Sequence, residues 1–178
     1  MTPPILIDTE DLLLHPFRAE EMKRFKSLSR DVYQLFNQSA AITFLPHKKL
    51  ADLQQTEALL QTILFQQYNG TSQWYFITQK SDMRTIGMIE LITPATAKKH
   101  YQLEQYPYFL EFCLCAKHAG KGIMSGLVSK MVGQLQQFGI KKIGAVAHPQ
   151  NRAAIRVLEK SGLSRKTSFD AFQHLYLN

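Results

Sequence analysis

The chain has 178 residues, 45% of them hydrophobic and 20% charged, with a net charge of +7. That length suits one compact domain spanning residues 1–178, and the composition excludes wholesale disorder. No apolar run approaches the roughly 20 residues of a membrane span. The opening residues, with Asp8, Glu10 and Asp11, lack the basic-then-apolar layout of a secretory signal, so a cytoplasmic location is expected. The charge is lopsided. From Cys113 onward, ten Lys and Arg face only Glu159 and Asp170, a surplus of +8 that leaves the first 112 residues near −1. A polyanionic ligand, nucleic acid or a solvated basic face each accounts for such a half.

In chain order, Leu12 to Phe17 reads as a strand ended by Pro16. Glu20 to Ser29 has helical spacing through Met22, Phe25 and Leu28, and Val32 to Asn37 suggests a second short helix. A helix over about Asp52 to Tyr68 would bury Leu53, Leu60, Ile63 and Leu64 and stop at Asn69-Gly70. Gln73–Thr78 and Thr85–Leu91 predict a hairpin around Lys80–Met83, and Thr93 to Glu104 reads as a loop. Tyr108 to Cys115 is the next strand. After a glycine-rich turn, a helix carries Met124, Leu127, Val128, Met131, Leu135 and Phe138 on one face and ends at Gly139. Its internal Gly126 and Gly133 suggest close packing or ligand approach. A strand over Lys142–Ala147 leads to a helix over Asn151–Ser161 with Asn151 as its cap. Leu163–Thr167 and Phe172–Leu177 close the sheet. The alternation predicts a single α/β domain.

The turn Ala119-Gly120-Lys121-Gly122-Ile123-Met124 joins a strand to a helix. Helix N-termini offer unpaired amides and a favourable dipole to phosphate, and glycine lets the main chain approach it. The chain lacks the Gly-x-x-x-x-Gly-Lys spacing of nucleoside triphosphate sites. Cys113 and Cys115 would share one strand face, poor geometry for a mutual disulfide and too few ligands for zinc.

Three separated signatures coincide: the strand with its Gly120-Lys121-Gly122 turn, the segment Asn151-Arg152-Ala153-Ala154-Ile155-Arg156-Val157-Leu158-Glu159-Lys160-Ser161-Gly162-Leu163, and the opening Leu14-His15-Pro16. Together they resemble the GNAT superfamily of acyl-CoA-dependent N-acyltransferases, in its RimJ/RimL-like branch that acetylates ribosomal-protein alanines. The resemblance covers nearly the whole chain. It implies a GNAT-type fold, a mixed, mostly antiparallel sheet with helices on both faces. It implies acetyl-CoA as cofactor, its pyrophosphate on the amides of Ala119, Gly120, Lys121, Gly122, Ile123 and Met124. The pantetheine arm would run beside Phe112, Cys113 and Leu114, and Asn151 would hydrogen-bond it. Ala119, Gly126, Ala154 and His15 depart from the branch pattern, and Met124 would narrow the phosphate seat.

Such an enzyme transfers acetyl to a primary amine by direct attack, so it needs a group that removes the ammonium proton and one that reprotonates the thiolate. Glu111, acidic in an otherwise apolar strand, ranks first as base, with burial expected to raise its pKa. His148 ranks second and Glu90 third. Cys115, Ser125 and Tyr108 are local donors, because Leu158 stands where related enzymes place a tyrosine acid. Trp74, Tyr75 and Phe76 read as core plus one wall of an acceptor groove. The acceptor would be a peptide N-terminus or a small-molecule amine, acted on by a monomer or homodimer, with no membrane role and no direct nucleic-acid binding. An aminoglycoside-type acetyltransferase and a catalytically degenerate acyl-CoA- or RNA-associated module are the alternatives. Clustering of Glu90, Glu104 and Glu111 in one groove would favour a polycationic acceptor.

Overall fold

A computed structural model describes residues 4–178, and these form one eight-stranded sheet in the order β1-β2-β3-β4-β5-β6-β8-β7. The strands are β1 (Ile7–Asp8), β2 (Leu12–Pro16), β3 (Ser72–Gln79), β4 (Thr85–Ile92), β5 (Tyr108–Leu114), β6 (Ile143–Ala147), β7 (Ser164–Ser168) and β8 (His174–Leu177). All neighbours pair antiparallel except β5 and β6. The helices are α1 (Ala19–Lys23), α2 (Phe25–Phe36), α3 (Ser39–Phe44), α4 (Leu53–Asn69), α5 (Pro94–His100), α6 (Ile123–Gln137) and α7 (Arg152–Lys160). Two single 3-10 turns, Pro46–Lys48 and Ala116–His118, complete the order.

Strand alternation divides the core into two layers. Tyr75, Ile77, Ile89, Leu91 and Leu110 face α6 and α7, where Leu127, Val128, Met131 and Leu158 meet them. Trp74, Phe76, Met88 and Cys113 face the opposite way, against Leu28, Val32 and Leu35 of α2 and Leu60 and Ile63 of α4. Helices thus cover both faces, and β3, buried along nearly its whole length, forms the spine.

Several local expectations change. The segment expected as Glu20–Ser29 plus a short helix is α1 and a continuous twelve-residue α2, broken at Arg24, whose φ of −114° and ψ of 23° depart from helix. The break lets Arg24 reach Glu21 at 3.7 Å. The expected loop after Thr93 contains α5, capped by the Thr93 hydroxyl, which accepts from Thr96 N, with Pro94 in the first turn. Leu53 and Phe138 are exposed rather than buried; Thr56 and Val132 take core places instead. Gly126 and Gly133 meet open space, so no close packing explains them. Among the described residues no helix is long and apolar enough to cross a membrane.

The feature that positions the site lies between β5 and β6. Their parallel register extends only over Tyr108↔Ile143 and Phe109↔Gly144. Beyond it, β5 continues to Leu114 on β4, while β6 continues to Ala147 on β8. The sheet therefore splays, and the edge of β5 from Leu110 to Leu114 faces a wedge with no strand partner among the described residues.

Candidate active site

At the head of the wedge stands the glycine turn. Gly120 and Gly122 both have φ of +76°, the left-handed region that disfavours a side chain. Gly122 is the N-cap of α6, and the first intrahelical bond runs from Gly126 N to the Gly122 carbonyl at 2.9 Å. The amides of Ile123, Met124 and Ser125 are thus first-turn donors with no intrahelical acceptor. No acidic side chain occupies that turn. The space over Gly120 and Gly122 is open to 4 Å, and Lys117 and Lys121 stand exposed beside it. This donor set fits a pyrophosphate.

Two expectations about the turn are corrected. The Ala119 amide already donates to the Ala116 carbonyl at 3.0 Å, closing the 3-10 turn that follows β5, so the donors begin after it. Met124 points into the core at 5% exposure and leaves the phosphate seat untouched. His118 in the same turn keeps a buried Nε2 with no partner among the described residues, and burial followed by the Lys117 and Lys121 charges holds its pKa below the usual value. Asn151 caps α7, its Oδ1 accepting from Ala154 N at 3.2 Å. At the end of β5, the Gln38 side-chain amide makes a two-bond pair: Nε2 donates to the Leu114 carbonyl at 2.8 Å, and Ala116 N donates to Oε1 at 2.7 Å.

Lower on the same strand, Glu111 lies directly across from Glu90 of β4. Two carboxylates so placed repel unless a cation stands between them. Lys48 supplies it, its Nζ at 2.6 Å from Glu90 Oε2 and 3.0 Å from Glu111 Oε1. The ammonium also sits 4.2 Å above the Trp74 ring, a cation–π contact. Ser72 Oγ donates to Glu90 Oε1 at 2.8 Å, and His47 Nε2 stands 3.1 Å from Glu111 Oε2. Trp74, like Tyr75 and Phe76, is buried in the core, with one ring face against the Lys48 ammonium.

The electrostatics reverse one expectation. Burial pushes the Glu111 carboxyl up, but the hydrogen bond from His47 and the charges of Lys48 and His47 outweigh it and hold the group below its ordinary value. Burial pulls Lys48 down, yet Glu111 and Glu90 more than compensate, and its pKa lies above the usual lysine range. Glu111 is an ionised proton acceptor at neutral pH. Its Oε2 is bonded by His47, a side chain 60% exposed, and exposed pairs of this kind contribute little.

The other candidates scatter. His148, after β6, packs at 6.0 Å from Phe44 of α3, and its Nδ1 accepts from Gln150 N at 3.1 Å. It therefore lies beside α3, the helix that precedes the turn bearing His47 and Lys48. Cys115 lies four residues beyond Glu111, about 13 Å at strand rise, beside Ile86 and Lys117 rather than with the carboxylates. Both cysteines are free, and burial pushes the Cys113 thiol up to about 11. His15 is buried and bonds Thr78 Oγ1 at 2.8 Å and the Pro16 carbonyl at 2.8 Å, away from the wedge. Glu104 lies exposed on the segment between α5 and β5. Sequence reading missed Lys48, His47 and Gln38. Their only sequence signal was Pro46, which can open a helical turn.

Residues 11–164 match the model of the acetyltransferase (GNAT) domain. No curated protein matches the chain. Among solved structures, the ribosomal-protein-S5-alanine acetyltransferase of Vibrio fischeri is similar with a TM-score of 0.75 at 13% identity, covering 98% of this chain and 96% of that one. The microcin C7 self-immunity acetyltransferase MccE, solved with acetyl-CoA and AMP, has a TM-score of 0.70 at 14% identity over 96% and 93%. The acetyltransferase AAC(6')-Ib, solved with paromomycin and acetyl-CoA, has a TM-score of 0.70 at 18% identity over 94% and 92%. At such identities the likeness is one of fold.

Proposed function

The chain belongs to the GNAT acetyltransferase family, and on that premise we propose that it transfers acetyl from acetyl-CoA to the primary amine of a peptide N-terminus or small molecule, with Glu111 as the group that receives the amine's proton. The observation that carries the proposal is the ionised Glu111, facing Glu90 of β4 and bonded to Lys48, on the strand whose far edge opens into the wedge, ahead of the α6 amides.

Acetyl-CoA, when bound, supplies the activated thioester carbonyl and the thiol leaving group. The chain's own residues do the rest. The amides of Ile123, Met124 and Ser125 hold the pyrophosphate, with Lys117 and Lys121 adding charge. Short of the Leu114 carbonyl, which Gln38 occupies, the open edge of β5 offers strand-like pairing to an extended arm, which gives affinity without particular side chains. An acceptor ammonium approaching Glu111 Oε2 replaces His47 there and exchanges one charge-assisted bond for another. Glu111 would take one proton from the ammonium; as the amine nitrogen bonds the thioester carbonyl carbon the C–S bond breaks, and the nitrogen's second proton goes to the departing thiolate. Because Lys48 remains on Oε1, Glu111 is a weak base held ready in its ionised form, and its contribution is positioning as much as basicity.

Glu111→Gln tests the role. It keeps the shape of the site and removes the proton acceptor. Acetyl-CoA should still raise the melting temperature of the variant by the wild-type amount, while amine-dependent CoA release falls about a hundredfold or more. Full activity in the variant would remove Glu111 from the mechanism. Stabilisation of the wild type by RNA and not by acetyl-CoA would favour the non-catalytic module instead.

A further inference from the structure

We propose that Lys48 is an internal counter-ion that fits the acceptor site to amines carrying one positive charge and turns polycations away; this rests on the acetyl-transfer reading of the same site.

Glu90 and Glu111 bring two negative charges to facing positions on adjacent strands. Alone, with Trp74 beneath them, they would make a dianionic, aromatic-floored recess of the kind that holds a di- or triamine. Lys48 changes that arithmetic. Its ammonium is bonded to both carboxylates and seated on the Trp74 face, and its side chain is only 14% exposed, so it is fixed rather than a wandering surface lysine. Once an incoming ammonium displaces His47, one negative charge is left, presented at Glu111 Oε2 where the exposed His47 ring now stands.

A single ammonium can take that place with Lys48 still bound. A second ammonium on the same acceptor, a few ångströms from the first, meets the Lys48 charge. Lys48 cannot withdraw to admit it without leaving two facing carboxylates dependent on the incoming ligand alone. The lysine lies on the short 3-10 turn Pro46–Lys48, directly after α3, so the segment that roofs this face also sets its charge.

The test is calorimetric binding to the protein with coenzyme A present, using spermidine and an alanine-initiated tripeptide amide with uncharged side chains. Lys48→Met keeps a stem on Trp74 and removes the charge. It should shift the preference toward spermidine by about tenfold or more. Lys48→Arg should leave the preference at the wild-type value. The double variant Lys48→Met/Glu90→Gln restores one net negative charge and should return the preference close to wild type. If Lys48→Met fails to fold, Glu90→Gln alone carries the test: it leaves no net charge, and both amines should weaken, spermidine most. An unchanged preference in Lys48→Met, or an equal shift in Lys48→Arg, would overturn the proposal, as would Glu90→Gln with no loss of spermidine binding. Binding needs no turnover. A wild type that shows these preferences and releases no CoA with either amine would count against acetyl transfer and leave the counter-ion standing.

Discussion

Replacing Gly122 by alanine separates the backbone's part in cofactor binding from every side chain around it. Gly122 has φ of +76°, and a Cβ built there meets nothing within 4 Å. Steric overlap therefore adds nothing, and the cost is the left-handed dihedral itself, about 1–2 kcal/mol for an L-residue. Two outlets exist for that strain. If the turn holds its shape, the folded state carries the cost and the melting temperature falls by about 2–8 °C at this chain length. If the turn relaxes, the amides of Ile123 to Ser125 tilt away from their common focus, and the same energy appears as roughly five- to thirtyfold weaker acetyl-CoA binding. Thermal melts across an acetyl-CoA titration read both quantities in one experiment. Gly126→Ala is the control, since that glycine is helical and faces open space. It should stabilise the protein by about 0.5–1 kcal/mol and leave the acetyl-CoA shift unchanged. A Gly122→Ala protein with wild-type stability and wild-type affinity would refute the reasoning.

Two further outcomes follow from other parts of the fold. Gly87→Ala places a Cβ 2.8 Å from the Cys113 carbonyl and 2.9 Å from Ile77 Cδ1, in the strand pair that carries Glu90 and Glu111. It should destabilise by about 1–3 kcal/mol in chemical denaturation and reduce amine turnover with it. Burial first of all holds the His15 pKa below 6.5. Its contribution to stability is thus complete above about pH 6.5, where folded and unfolded forms are both neutral, and is lost as pH falls through the depressed folded value. Denaturation midpoints measured downward from pH 7 should decline more steeply in the wild type than in His15→Gln.

What the sequence disclosed depended on whether a requirement was local. The Gly120 and Gly122 turn was legible because a phosphate-binding strand-to-helix corner needs glycine at particular steps, and those residues appear in the string. Glu111 stood out because it is a carboxylate in the otherwise apolar run Tyr108–Leu114. Its protonation behaviour was not legible. That depends on Lys48, which lies 63 positions earlier in the chain and meets Glu111 only after β4 and β5 pair. Lys48, His47 and Gln38 belong to α3 and a single 3-10 turn, both too short to produce a periodic pattern. The α5 helix was different: Thr93-Pro94 is a cap followed by a first-turn proline, a local start signal on a helix of seven residues that carries no apolar stripe. Gly126 and Gly133 suggested close packing or ligand approach, and the open space around them removes the first of these.

The central claim is that this chain moves acetyl from acetyl-CoA to an amine. The most direct measurement is amine-dependent CoA release across a panel of peptide N-termini and small amines, with mass spectrometry of the acceptor. The account predicts CoA release that rises with one class of amine and matches N-acetylated product one for one, lost in Glu111→Gln. Acetyl-CoA binding with no amine-dependent release across the panel would contradict it.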